Sequence, residues 1–154
     1  MEDMSECLRE ETHVWLVMMK AYQAVMRYSM ADIHGSGLGE SDFRVLEILL
    51  HKGSMPVNTL GPKVGLTPGA ISIAVDRLFD RELVTREECL TDRRIRIVAL
   101  TAKGKHLIAP VFQRHEEAMA RVFSELNEAE LKQFEALLKK VGFRAGELRS
   151  EGIE

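Results

Sequence analysis

The hydrophobic period changes once along this chain, and the change limits the folds open to it. "LVTREE" (83–88) and "IRIVAL" (95–100) alternate apolar and polar residues around the polar turn "TDRR" (91–94). Alternation marks a strand with one wet face, and two such runs about a short polar turn read as a β-hairpin. Elsewhere apolar residues recur at three- and four-residue spacing, the pattern of amphipathic helices. A lone hairpin is marginal in water, so this one must rest on helices. The expected class is mainly α with one small hairpin.

The helices can be read from their ends. Residues 5–33 read as one long helix with hardly any polar face in its middle, where Trp15, Met18, Met19, Tyr22, Val25, Met26, Met30 and Ile33 recur. A helix apolar around so much of its girth needs burial on more than one side. "HGSGLGES" (34–41) breaks it with three glycines. Ser41 can cap a helix through His51. Pro56 suits a first helical turn and Gly65 the position past a helix end. Pro62 between them removes a hydrogen bond to Asn58, so that helix should be short or distorted. Thr67-Pro68 offers a capping hydroxyl followed by a first-position proline, opening a helix to about Arg81 with Ile71, Val75, Leu78 and Phe79 inward. Thr101 ends the hairpin and caps a helix over about 102–124, with Leu107, Val111, Met119, Val122 and Phe123 inside and a kink at Pro110. "NEAE" (127–130) forms a capping box, and the helix after it should bury Leu131, Phe134, Leu137, Leu138 and Val141.

Composition excludes several function classes. A chain of 154 residues is expected to form one domain. Its net charge of −3 rules out adhesion to nucleic acid by bulk charge, so an anionic partner must meet a local patch. The longest apolar run, Val14–Met19, falls well short of the roughly 20 residues of a membrane span. The start "MEDMSECLREE" has no signal-peptide pattern, and Cys7 and Cys89 are too few for a disulfide framework, so a reducing cytoplasm is expected. His13, His34, His51, His106 and His115 have no metal-ligand spacing. No Ser-His-Asp order, phosphate-cradling glycine loop or paired carboxylates appear, so neither catalysis nor a cofactor is expected.

Two short helices joined by a glycine turn, the second opened by Thr-Pro and followed at once by a basic-tipped hairpin, form a winged helix-turn-helix pattern. The helix from Thr67 would lie in a DNA major groove. The face opposite Ile71 and Leu78 holds Gly69, Ser72, Ile73, Asp76, Arg77 and Asp80. Its first part, Thr67, Pro68 and Gly69 through Ile73, is free of acids and can approach phosphates with backbone amides. The same fold could instead dock a protein without specific DNA binding.

"LGESDFRVLEILL" (38–50), "VGLTPGAISIAVDRLFDRELVTRE" (64–87) and "TDRRIRIVALTAKG" (91–104) resemble the MarR family of bacterial transcriptional regulators. The similarity runs from roughly Val14 to the end, and the Asp-Arg-Arg wing followed by Leu-Thr-x-x-Gly is its most specific element. The resemblance implies a homodimer built by residues 5–33 and 102–148 around a DNA-binding lobe at about 42–101. It implies a regulator, most simply a ligand-responsive repressor, that binds pseudo-palindromic double-stranded DNA. It assigns Arg94 to a minor groove, with Arg93 and Arg96 beside it and Asp92 bracing the turn. A brace has a physical use: an arginine ordered in advance loses less side-chain entropy on entering a narrow, electronegative groove. Relatives often carry a basic or polar base-reading residue where Ile73 stands, and isoleucine can touch only a thymine methyl. The family also implies a small aromatic or anionic effector, for which Trp15, Met18, Met19, Tyr22 and Phe43 are the expected pocket. Cys7 near a helix start resembles the thiol of a hydroperoxide-sensing branch, but Glu6, Glu10 and Glu11 oppose a thiolate there, and a plain thiol is expected.

Overall fold

The computed structural model describes residues 9–152, except the side chain of Asp32. Cys7 lies outside the described residues. The elements run α1 (Glu10–Gly35), α2 (Glu40–Lys52), β1 (Met55–Pro56), α3 (Val57–Val64), α4 (Pro68–Asp80), β2 (Val84–Glu88), β3 (Arg96–Leu100), α5 (Ala102–Val122) and α6 (Glu128–Glu151). The chain divides into two compact units between Ala118 and Met119. The first holds the helix-turn-helix, the sheet and most of α5; the second holds the end of α5 and α6.

Local chemistry explains the element ends. Thr67 Oγ1 accepts from the Ala70 amide at 3.2 Å, with Pro68 in the first helical turn of α4. Gly65 closes α3 at φ 69°, a left-handed conformation that glycine adopts without steric cost. α3 spans eight residues with Pro62 inside it. Asn127 and Glu130 exchange the two reciprocal bonds of a capping box at 3.0 and 2.9 Å. α2 differs from expectation: Gly39, not Ser41, occupies the cap position, and the Ser41 hydroxyl turns to Arg77 instead.

The sheet has three antiparallel strands in the order β1-β3-β2, one more than the hairpin alone. Val84 pairs with Leu100 and Glu88 with Arg96, while Met55 and Pro56 pair with Val98 and Ile97. Pro56 therefore belongs to a sheet edge, where its missing N–H costs nothing, and not to the first turn of α3.

The core of the first unit gathers Leu46 and Leu49 of α2, Leu60 of α3, Ile71, Val75 and Leu78 of α4, Val84 and Val98 of the sheet, and Ile108 and Val111 of α5. Each such side chain contributes roughly 1.5–3 kcal/mol when fully buried. Phe79 is not among them. It lies 40% exposed beneath the Arg86 guanidinium, 4.2 Å from the ring centroid. On α5 the buried positions are Gly104, Ile108, Val111 and Ala118; Met119, Val122 and Phe123 are only half-buried. α6 has no buried residue at all within the single chain, so Leu131, Phe134, Leu137, Leu138 and Val141 stay exposed rather than forming a core of their own.

β3 leads into α5 through a tight joint. The Thr101 amide donates to Leu83 O at 3.1 Å, its hydroxyl donates to Glu82 O at 2.7 Å, and the same hydroxyl accepts from the Gly104 amide at 2.9 Å. A Cβ on Gly104 would sit 2.0 Å from Leu83 O, so only glycine fits.

Candidate nucleic-acid interface

α4 and the turn between β2 and β3 meet in a crease of about 410 Å³, lined by Pro68 and Ser72 from the helix and by Arg94 and Arg96 from the wing. Four of the residues expected at DNA are thus on one surface. Thr67, Pro68, Gly69 and Ser72 are exposed, and Ile73 at the centre of the helix face is 63% exposed. Pro68 has no amide hydrogen, and the Ala70 and Ile71 amides are both taken by Thr67. Gly69 is left to supply the outward first-turn donor that suits a phosphate oxygen.

Asp76 would repel phosphates from the same face, but it is ion-paired with Arg86 of β2. That pairing was not legible in advance. An arginine ten residues after an acid, across a helix–strand junction, carries no local signal. Arg86 thereby cancels a helix charge and covers Phe79 at once.

The wing turn is ordered around Asp92. Its Oδ1 accepts from the Arg94 amide at 3.0 Å and from Arg94 Nε at 3.1 Å, and its Oδ2 accepts from Arg94 Nη2 at 3.2 Å. Asp92 O accepts from the Ile95 amide at 3.0 Å, closing the turn. The Arg94 side chain nevertheless remains 91% exposed. The Arg94 guanidinium, then its backbone amide, hold the Asp92 carboxyl below the usual aspartate range, against a small opposing desolvation. Arg93 is exposed, and Arg96 lies 3.7 Å from the Glu88 carboxylate. Leu90, fully exposed on the turn, was not singled out from the sequence. Cys89 is half-buried just past β2 with its sulfur 3.2 Å from Thr91 Oγ1. That hydroxyl, with the Thr91 and Asp92 backbone, pushes the thiol down from its ordinary value, while desolvation and the Asp92 charge oppose the shift.

Arg77 lies elsewhere. Its guanidinium is turned to the first turn of α2, where it meets Asp42 and Ser41. The expected effector residues differ in exposure. Phe43 is buried edge-on to His115, with centroids 5.1 Å apart, while Trp15 and Tyr22 on α1 are about half exposed and Met18 and Met19 half-buried. Neither the crease nor a second hollow of about 780 Å³ between α2 and α3 is lined by any of the five. Tyr22 instead accepts a 3.4 Å hydrogen bond from Arg44 Nη2. Among the described residues no group of three or more His, Cys, Asp and Glu side chains could hold a metal ion, and no helix is long and apolar enough to cross a membrane.

This architecture recurs among known proteins. AbsC, a MarR family transcriptional regulator from Streptomyces coelicolor, superposes with a TM-score of 0.81 at 24% identity, over 93% of this chain and 97% of that one. BpsR of Bordetella bronchiseptica superposes with a TM-score of 0.76 at 25% identity, over 84% of this chain and 98% of that one. The HTH-type transcriptional regulator MhqR of Bacillus subtilis is 33% identical over 138 residues, 90% of this chain and 95% of that protein. The MarR family model matches residues 38–95, from the start of α2 through the wing turn. A braced wing beside a Thr-Pro-capped helix, and a relative of that identity along nearly its full length, place the chain in the MarR family of winged helix-turn-helix, DNA-binding transcriptional regulators.

Proposed function

We propose that the protein is a ligand-responsive, cytoplasmic repressor that binds pseudo-palindromic duplex DNA as a homodimer. The DNA-binding lobe is residues 42–101. Thr67, Pro68, Gly69, Ser72 and Ile73 face the major groove, and Arg93, Arg94 and Arg96 approach the minor groove with Asp92 as the brace. The observation that carries this reading is Arg94, held by three hydrogen bonds to Asp92 yet 91% exposed. An exposed cation gains little from such a brace alone. Pre-ordering becomes useful once a phosphate-walled groove receives it.

Dimerisation is supported by apolar surface that the single chain leaves open. Val14, Trp15 and Val17 of α1 and Leu131, Phe134, Leu137, Leu138 and Val141 of α6 are each at least 41% exposed. Apolar surface of that kind marks interfaces, and a two-fold dimer would present two α4 helices to successive major grooves. Response to a small aromatic anion is supported by BpsR, whose DNA binding is described as regulated by 6-hydroxynicotinic acid. Since Trp15 and Tyr22 are about half exposed in the single chain, such a pocket would be completed by the partner subunit.

Selection of bound sequences from random duplex DNA tests the proposal. The expected product is an inverted repeat with half-site centres roughly 34 Å apart. Enrichment of a single, unrepeated site would refute the dimeric reading, and absence of salt-sensitive binding would favour a protein-docking role for the fold.

A further inference from the structure

Asp42 is 3% exposed and is the only buried ionisable side chain among the described residues. A buried carboxylate must be compensated by close partners. Here Arg77 Nε donates to both carboxylate oxygens at 3.0 Å, and Arg77 Nη2 donates to Oδ1 at 2.5 Å and to Ser41 Oγ at 3.1 Å. Arg81, one turn further on at the C-terminal cap of α4, lies 3.9 Å from Asp42 Oδ2 and donates to Gly37 O at 3.2 Å. The Asp42 hydrogen bond raises the Arg77 guanidinium further above its ordinary range, against a partial desolvation. Asp42 sits in the first turn of α2, where the helix dipole also favours a negative charge.

The clasp grips only one end of α4. Its arginines lie in the second half of the helix, whereas Thr67 to Ile73 form the half that meets DNA. Thr67 is ten residues from Arg77, or about 15 Å at 1.5 Å per residue. A tilt of roughly 10° about the clasp would carry the first turn about 2.6 Å sideways, far beyond the ~0.5 Å tolerance of a recognition geometry. The Arg77 side chain is 45% exposed, but the Asp42 carboxylate it holds is buried, so a tilt opens hydrogen bonds to an acid that water cannot reach in place of the guanidinium.

We infer that Asp42 is a positioning residue for DNA recognition, setting the angle of α4 through Arg77, and that Arg77 acts through this clasp and not by neutralising a phosphate. The inference rests on α4 being the helix that enters the duplex, which salt-sensitive binding by the unaltered protein tests separately.

The test uses the full chain with Arg77→Gln, Arg77→Lys, Asp42→Asn and the Asp42→Asn/Arg77→Gln double substitution. Fluorescence anisotropy would measure affinity for a selected operator and for random duplex at several salt concentrations, with circular dichroism to verify folding. Each single substitution is expected to weaken operator binding at least ten-fold and random-duplex binding much less, because a mis-aimed helix loses base contacts but not backbone charge. A merely structural defect would lower both equally, and that result overturns the inference. The salt slope should stay unchanged in Arg77→Gln; a slope shallower by about 0.9, one phosphate's worth, also overturns it. Arg77→Lys keeps the charge but not the planar fork, so it should behave like Arg77→Gln; wild-type binding by Arg77→Lys counts against the clasp. The double substitution removes both charges at once and should bind no worse than the weaker single. Where a single substitution fails to fold, Arg81→Gln and the double substitution carry the comparison. Equal losses on operator and random duplex in both would again overturn it.

Discussion

Replacing Gly104 with alanine should destabilise the protein, although helix propensity alone favours the change. The new Cβ would lie 2.0 Å from Leu83 O and 2.9 Å from Leu83 C, both backbone atoms that no rotamer can move. Close C···O contacts run to about 3.3 Å, so the first turn of α5 must retreat by about 1.3 Å. That retreat breaks the Thr101 N–Leu83 O bond, now 3.1 Å, and the Thr101 Oγ1–Glu82 O bond, now 2.7 Å. Overpacking costs roughly 1–3 kcal/mol. Two lost hydrogen bonds cost about 0.5–1.5 kcal/mol each. Alanine returns about 1 kcal/mol through its helix preference. The net loss is centred near ~3 kcal/mol, and for a chain of this length each kcal/mol lowers Tm by about 2–4 °C. A drop of roughly 6–12 °C is therefore expected in thermal unfolding by circular dichroism, at matched protein concentration because the proposed dimer would make Tm concentration-dependent. A Tm equal to or above that of the unaltered protein would refute the steric argument, since only propensity would then be acting.

Three further outcomes concern the DNA-facing surface. Arg94→Ala should weaken operator binding and make the salt slope shallower by about one, whereas Asp92→Ala should weaken binding several-fold despite removing a negative charge; tighter binding by Asp92→Ala in the same titration would mean that the acid is no brace. Because the Asp92 carboxyl is held low in the folded wing, the brace persists from neutral pH down through the ordinary aspartate range and opens only as pH falls through the depressed value. Carboxyl NMR titration should show that depressed midpoint and its rise in Arg94→Ala; an unmoved midpoint would dissociate the two groups. Ile73→Arg should change the selected half-site more than random-duplex affinity, because it places a guanine-reading fork at an exposed central position; an unchanged selected sequence would show that Ile73 does not face bases.

The features that could be read in advance are those set by neighbours in sequence. Thr67-Pro68, Gly65 and the Asn127–Glu130 box each act within a turn of backbone, so their chemistry is visible in a few letters. The Asp92 brace is similar, since acid and arginine are two residues apart. β1 escaped because two residues carry no period and their partner strand lies some forty positions later. Phe79 had the spacing of a core residue, but Arg86, arriving from β2, makes an exposed ring acceptable. Asp42 was not singled out from the sequence, because its partners Arg77 and Arg81 stand more than thirty positions later and meet it only in the tertiary structure. Leu131, Phe134 and their neighbours were expected to be buried but stay exposed in the single chain, because periodicity identifies an apolar stripe without saying what covers it.

Ser72 and Ile73 are exposed, while the core contacts that hold α4 in place, from Ile71, Val75 and Leu78, lie on its opposite side. Exposed substitutions of this kind change folding stability by no more than about 0.5 kcal/mol. If these positions read bases as proposed, new base preferences can be sampled one residue at a time without pushing the protein below its folding threshold. A duplicated copy of the chain could diverge toward a different operator while its core stayed unchanged, and the exposed isoleucine at position 73 is where such divergence would leave its earliest trace.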